Sequence, residues 1–423
     1  MPADKTNFHD AIIIGAGFSG LYQLHQLRDQ LGLEVLVVEA GQDVGGTWYW
    51  NRYPGARCDS ESYYYSYSFS KALQREWRWT ERYAEHGEIR RYLDHVADRF
   101  DLRRNIRFGT RVRAARWDDG NTLWEIETEA GETLTCRFLI TAVGCLSAAN
   151  VPDIPGLGGF SGQWHHTGRW PHEGVDFTGK RVGLIGTGST GMQAAPVIAA
   201  QAAHLTVFQR TANYSIPSRN RPLSAEAWAE IQENYDAIRT KTFSSSNGHP
   251  FEVFDKSALD VSPEERDARY ERAWAEGGLG FRASFNDLLK NKAANDTASE
   301  FIRRKIRAIV KDPEVAAMLT PSDHPFASKR PPVDTDYFET FNRSNVTLVD
   351  VKAGAAGETT VSVRAWVIVG TVPPSLAETV IVKGEPVLLG GVPLMTPVEA
   401  LILAHEGSPL AENAGEGMPT VFN

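Results

Sequence analysis

The 423 residues carry 44 Lys and Arg against 53 Asp and Glu, a formal net charge of -9, which gives no counterion-release advantage on nucleic acid and no basic stripe for an anionic membrane. A hydrophobic fraction of 42% and a charged fraction of 23% exclude a disordered or fibrous chain. The length exceeds what one hydrophobic core usually supports, so two domains are expected.

The N-terminus MPADKTNFHDAIIIGAG reaches its first strand with no basic n-region, long apolar stretch or cleavage site. Cys58, Cys136 and Cys145 have no CxxC spacing, which indicates neither a disulfide framework nor a zinc site and suits a reducing cytoplasm. Small molecules are the expected partners, with no nucleic acid, membrane or metal, and the chain is expected as a monomer or weak oligomer.

Ala11 to Ile14 read as a strand buried on both faces and ending in glycine. Leu21, Leu24, Leu27 and Leu31 then recur at the spacing of one helix face, the helix stops near Gly32, and VLVVEA (Val35 to Ala40) is a second buried strand. The same order returns from Val182: VGLIG as strand, GTGSTG as loop, a helix through Ala200 that Pro196 should kink or shorten, and LTVFQR (Leu205 to Arg210) as strand. The expected fold class is therefore α/β, with two Rossmann-like dinucleotide-binding domains.

Between the two units, Trp117 to Ile126 and Glu132 to Ile140 read as strands of an antiparallel excursion, and the proline- and glycine-rich Ala148 to Gly159 as a linker. The expected boundaries are 1–150 for the first domain and 151–330 for the second, with a helical insertion at about 222–320. Residues 331–423 are expected to return to the first domain and to be atypical after about 352.

The chemistry starts at the two loops. Gly15, Gly17 and Gly20 follow a strand and open a helix, and Glu39 ends the next strand about 20 residues on, where a carboxylate can accept from ribose hydroxyls. Such glycines allow a tight turn and let a pyrophosphate approach the positive end of the helix. At Gly186, Gly188 and Gly191 the loop is repeated, but the matching strand ends in Gln209, Arg210 and Thr211, and a guanidinium there pairs with a 2′-phosphate. Two sites of different polarity imply FAD behind Glu39 and NADPH behind Arg210, with hydride passing between them. A disulfide reductase would need a redox-active cysteine pair near the flavin, and none is spaced for it. The candidate contacts in the loops are Gly15, Gly17, Ser19, Gly20 and Glu39 in the first, and Gly186, Thr187, Gly188, Ser189, Thr190, Gly191, Gln209 and Arg210 in the second. Beside the first loop, Gly46 could let the chain pass close to a flavin and Trp48 could cover its rings, with Thr47 between them and Arg57 further along the same segment.

FSGQWHHTGRWP matches FxGxxxHxxxWP through Phe160, Gly162, His166, Trp170 and Pro171, a fingerprint that resembles the Baeyer-Villiger flavin monooxygenases. GGTWYWNRYPGARCD, TVFQRTANYSIP and KRPPVDTDYFETFNRSNVTLVDV are likewise similar to family segments, so the resemblance covers Phe8 to about Lys352. It implies that the fingerprint lies at the junction of the FAD and NADP domains, with His166 organising the active state from outside the chemistry. It also implies that Arg330 is the catalytic arginine, that Asp59 is its acidic partner and touches the cofactors, and that Lys329 joins Arg210 on the 2′-phosphate. By the same similarity Tyr65 and the backbone of Val112 lie against FAD. A fixed guanidinium suits a reaction in which an oxygen-derived anion attacks a ketone carbonyl, because it stabilises the negative charge on both. The implied activity is an NADPH- and O2-dependent FAD monooxygenase that turns a ketone into an ester or lactone. Alternatives of other kinds are an N- or S-oxygenating flavin monooxygenase and a nucleotide-binding remnant without catalysis.

From Ala353 to Asn423 the resemblance stops. AWVIVGTVPPS (Ala365 to Ser375) has a strand-like pattern, but no ATGFD-like motif follows, and the chain ends before family members do. A reading-frame change or fusion that replaced the last part of the FAD domain is expected, and with it weak flavin retention.

Overall fold

The computed structural model describes residues 7–152, 154, 156–245, 248–352 and 366–369. The apolar run before the first glycine loop is β1 (Phe8–Ile14), α1 (Phe18–His25) follows with Leu21 and Leu24 buried, and a π-turn carries the chain on to Gln30. Gly32, at φ +68°, ends the turn before the wholly buried β2 (Val35–Val38). After α2 (Thr47–Trp50), α3 (Lys71–Glu76), α4 (His86–Arg99) and β3 (Ile106–Arg107) come β4 (Val112–Asp118), β5 (Leu123–Thr128) and β6 (Thr133–Thr141). The stretch expected as one strand from Trp117 to Ile126 is the tip of the β4–β5 hairpin. Asp118 Oδ1 accepts from the backbone N–H of Gly120 at 2.8 Å and of Asn121 at 3.2 Å, turning the chain so that Trp117 faces Trp124.

The second half opens with β7 (Gln163–His166), β8 (Arg181–Ile185), α5 (Ser189–Gln201), β9 (His204–Gln209) and β10 (Ile216–Pro217). Helix α5 runs through Pro196 without the expected shortening; its buried residues Ala194, Ala195, Ile198 and Ala199 pack on both sides of the proline and hold the helix to Gln201. The helical stretch comprises α6 (Ala225–Glu233), α7 (Tyr235–Ser244), α8 (Pro263–Glu276), α9 (Lys292–Ile309) and α10 (Pro313–Leu319). It is followed by β11 (Val333–Asp334), α11 (Tyr337–Thr340), β12 (Val346–Asp350) and β13 (Trp366–Val369).

The chain divides into two units. Among the described residues the first comprises the chain up to Trp50 together with Gly87–Ala148. Its six-stranded sheet has the order β3-β2-β1-β6-β5-β4, parallel through the first four strands and antiparallel through β5 and β4. Ile12, Leu36, Val38, Ile126, Leu134 and Cys136 form one of its apolar clusters. Among the described residues the second unit comprises Asn51–His86 and the chain from Ala149 to Val369, and holds a five-stranded sheet of order β12-β9-β8-β13-β7. In it β12, β9 and β8 run parallel, while β13 is antiparallel to both β8 and β7. Both sheets support the α/β layout of two Rossmann-like units.

Two boundaries differ from expectation. Residues 51–86 belong to the second unit, because Tyr53 and Ala56 are part of its core and the buried Arg82 donates to the Glu276 carbonyl oxygen at 2.6 Å. Residues 331–352 stay in the second unit instead of returning to the first, since every residue of β12 pairs with β9. Strand β13, within the strand-like segment past the end of the resemblance, also lies in this sheet. The remaining expectations for the tail fall on 353–365 and 370–423, outside the described residues. Among the described residues no helix is long and apolar enough to cross a membrane.

Candidate functional site

In the first unit the GAGFSG loop is a cradle made of backbone. Gly15 has φ +105°, and a Cβ on Gly20 would stand 1.9 Å from the Gly15 carbonyl oxygen, so strand end and helix start meet at a distance only glycine permits. Opposite, a Cβ on Gly46 would stand 2.8 Å from Gly17 Cα, which keeps the approach to the loop bare of side chains. Ser19 is exposed in the first turn of α1, Thr47 opens α2, and Trp48 beside it is buried. Glu39 is 5% exposed, and its carboxylate accepts from Ala16 N and Gly41 N, each at 2.7 Å. Each of its oxygens keeps a lone pair that a hydroxyl can use. Val112, half-buried, starts β4.

In the second unit Gly186, at φ +106°, begins the GTGSTG loop, and Gly188 caps the thirteen-residue α5 with open space where its Cβ would be. Thr187 Oγ1 donates to the Thr211 carbonyl oxygen at 2.8 Å, tying the loop to the end of β9. Gly191 is buried against the loop, and Ser189 and Thr190 are half-exposed at the helix start. Gln209 is buried and donates to the Met318 carbonyl oxygen at 2.7 Å, whereas Arg210 points to solvent with no ion pair among the described residues.

Arg330 and Asp59 come together in this unit: Nη2 lies 3.3 Å from Oδ2, with the carboxylate buried and the guanidinium exposed. Burial pushes the Asp59 carboxyl up to about 6, and the positive charge of Arg330 works against that rise. Burial, reinforced by Arg282 and Arg330, depresses His249 to about 4, and the same combination of burial and Arg330 lowers Arg282. His249 stacks on Phe251 with ring centroids 5.1 Å apart and shares a 3.2 Å hydrogen bond with the Tyr64 hydroxyl. The neighbourhood of Arg330 is therefore electropositive. Lys329 precedes it, exposed. Both sit on a loop anchored by β11, whose Asp334 is buried and accepts from the Ser215 hydroxyl and from Tyr337 N.

The fingerprint folds into the edge strand β7 and the turn after it. His166 is 3% exposed and its Nδ1 accepts from Gly168 N at 3.0 Å, which leaves the proton on Nε2 when the ring is neutral. Its backbone position pairs with Trp366 of β13. Trp170 is buried in the core shared with Tyr53 and Ala56, while Phe160, Gly162 and Pro171 are half-buried. Arg57, expected on a cofactor, has its guanidinium engaged by Glu81, Glu85 and the Tyr83 carbonyl oxygen. Tyr65 is half-buried in a turn held by Arg239, which donates to the carbonyl oxygens of Tyr63, Tyr64 and Ser66.

His249, Arg282, Gln193 and Arg239 were among the residues not singled out from sequence. Gln193 lies three residues after Thr190 on α5 and donates to Asp59 Oδ1 at 3.3 Å; a polar amide between the buried Met192 and Ala194 was the available signal. Arg239 carried none, because one arginine in a charged helical stretch looks like any other.

A family model described as pyridine nucleotide-disulphide oxidoreductase matches residues 12–298. The three cysteines are free, and burial pushes the Cys58 and Cys136 thiols up to about 12, far from the thiolate that disulfide exchange requires. The chain is 49% identical over 354 residues to a Baeyer-Villiger monooxygenase of Pseudooceanicola batsensis, covering 83% of this chain and 64% of that one. The chain belongs to the Baeyer-Villiger flavin monooxygenase family. It is also 47% identical over 358 residues to the 2-oxo-Delta(3)-4,5,5-trimethylcyclopentenylacetyl-CoA monooxygenase of Pseudomonas putida, covering 83% of this chain and 66% of that one. Among solved structures, an oxidized steroid monooxygenase bound to NADP superposes with a TM-score of 0.79 at 54% identity, over 82% of this chain and 66% of that chain. The chain thus spans just under two thirds of the length of the curated relatives it matches.

Proposed function

We propose that the protein is a Baeyer-Villiger monooxygenase that uses FAD, NADPH and O2 to convert a ketone to an ester or lactone, with NADP+ and water as the other products. The observation that carries the reading is the Arg330–Asp59 pair: an exposed guanidinium held by a buried carboxylate in a unit that also presents a dinucleotide loop and the FxGxxxHxxxWP segment.

The first loop fits FAD by its bare backbone cradle and by Glu39, whose free lone pairs suit ribose hydroxyls. Gly15, Gly17, Ser19, Gly20, Gly46, Thr47 and Trp48 complete that site, with Val112 against the same cofactor. The second loop fits NADPH: Gly188 leaves space for a pyrophosphate at the α5 N-terminus, and Arg210 and Lys329 are exposed cations for the 2′-phosphate. Bound together, the cofactors supply the two electrons and the activated oxygen.

The protein's own part is electrostatic. Arg330 stabilises the negative charge that builds on the carbonyl oxygen as the ketone is attacked, and a fixed guanidinium does so without solvent reorganisation. Asp59 limits the positions this long side chain can take and supplies its counter-charge. His249 and Arg282 lie close enough to Arg330 to feel its charge, which together with burial depresses both. We place the protein in the cytoplasm, consistent with its three free cysteines.

The test is incubation with FAD, NADPH and a panel of cyclic, aryl-alkyl and larger ketones under air, with ester and peroxide quantified separately. Ketone-dependent NADPH consumption with ester is expected; peroxide alone, or oxidation of amines or sulfides with no ester from any ketone, overturns the reading.

A further inference from the structure

The inference concerns α5 and rests on the reading of the second loop as the NADP site and of Arg330 as the ketone-activating group. Helix α5 has its N-terminus at the loop, capped by Gly188. Thr190, Gln193 and Val197 follow at spacings of three and four, which places them on one helix face, and that face receives the segment Tyr53 to Asp59. The Tyr53 hydroxyl donates to Gln193 Oε1 at 2.8 Å. Gln193 Oε1 accepts a second bond from Arg57 N at 3.3 Å, while Nε2 donates to the Arg57 carbonyl oxygen at 3.1 Å and to Asp59 Oδ1 at 3.3 Å.

The amide thus uses all four of its hydrogen-bonding positions on one segment. There is no slack behind it: a Cβ on Gly55 would stand 2.4 Å from the Gln193 backbone oxygen and 3.1 Å from Val197 Cγ2. Any displacement of α5 is therefore passed to the segment that carries Asp59.

We propose that Gln193 is a positioning residue that couples the nucleotide docked at the α5 N-terminus to the Asp59–Arg330 pair, so that occupation of the NADP site sets the orientation of the catalytic guanidinium. Asp59 is the reporter. The charged and titratable groups that face it are Arg330, Tyr53, Cys58 and Tyr83, and of these only Tyr53 itself bonds to Gln193.

The experiment follows the Asp59 carboxyl by 13C NMR in the full chain labelled at aspartate, assigned with Asp59→Asn, as pH is varied with and without NADP+. NADP+ is expected to displace the wild-type midpoint. Gln193→Leu removes a donor to the carboxylate, so the midpoint rises by roughly half to one pH unit and no longer responds to NADP+, although calorimetry still detects binding. Gln193→Glu, nearly isosteric, sets a second carboxyl beside Asp59 and raises the midpoint at least as far, so the result does not depend on the leucine variant folding. Unchanged midpoints in both variants, or an NADP+ response retained in either folded variant, overturn the inference. Failure of the functional reading looks different: a wild-type chain that binds NADP+ and makes no ester leaves these titrations interpretable, and one that does not bind NADP+ defeats both.

Discussion

Arg330 Nη2 lies 3.3 Å from Asp59 Oδ2, with the arginine side chain 66% exposed and the aspartate side chain 8% exposed. The asymmetry defines the roles: the carboxylate is the anchor, and most of the guanidinium's donors face outward. Removing the guanidinium leaves the anchor buried without a counter-charge.

Arg330→Ala is therefore expected to lower ester formation by about a hundredfold to a thousandfold, the usual effect of losing a fixed donor to a developing oxyanion. Oxidation of a soft sulfide, which develops no such charge on a carbonyl oxygen, is expected to survive. Product analysis on a ketone and a sulfide in parallel checks this; equal losses on both would show that the arginine serves cofactor binding alone.

Coenzyme choice follows from the exposed cation after β9. Arg210→Ala is expected to reduce kcat/KM for NADPH about tenfold to a hundredfold, the value of a charge-assisted phosphate contact, with little change for NADH. The ratio of the two specificity constants is the measurement, and a ratio that does not move excludes Arg210 from the 2′-phosphate.

Glu39 holds two backbone N–H groups of the first loop. Glu39→Ala leaves both buried donors unsatisfied, at a cost of about 1–3 kcal/mol each, and removes the proposed ribose acceptor. A lower melting temperature and loss of flavin absorbance after gel filtration are expected together. Flavin retained at full stoichiometry would remove Glu39 from the FAD site.

Asp334 anchors the strand that follows the Arg330 loop, and its burial pushes the carboxyl up to about 7 despite hydrogen bonds from Ser215 and the Tyr337 amide. A carboxyl whose folded value is raised contributes stability that is fully present below its ordinary range near 3.8 and is lost as pH rises through about 7. The full difference corresponds to about 4 kcal/mol. Asp334→Asn is expected to flatten the fall in melting temperature between pH 4 and pH 8, with its gain over wild type appearing only at the upper end. Parallel melting curves for the two proteins across that range would contradict it.

Much of this protein was legible in its sequence because the signals are local. An apolar run, a glycine loop and a helix periodicity lie within thirty residues of one another, so β1 with α1 and β8 with α5 could be read directly, as could the cation after β9 at Arg210, whereas the parts given to Lys329 and Arg330 were implied only by the resemblance. The hairpin tip at Asp118 was missed because its Asx turn interrupts a pattern that alternates on both sides of it.

Only the tertiary structure decided which unit holds the segment 51–86 and the strand β12, since both follow from packing against elements more than a hundred residues away. The Asp59–Arg330 pair was inferred by resemblance, but its asymmetry of burial and the amide of Gln193 behind it have no sequence signature. A chain records which groups can form hydrogen bonds; which of them meet is set by burial, where an unmatched polar group costs more than a matched one returns.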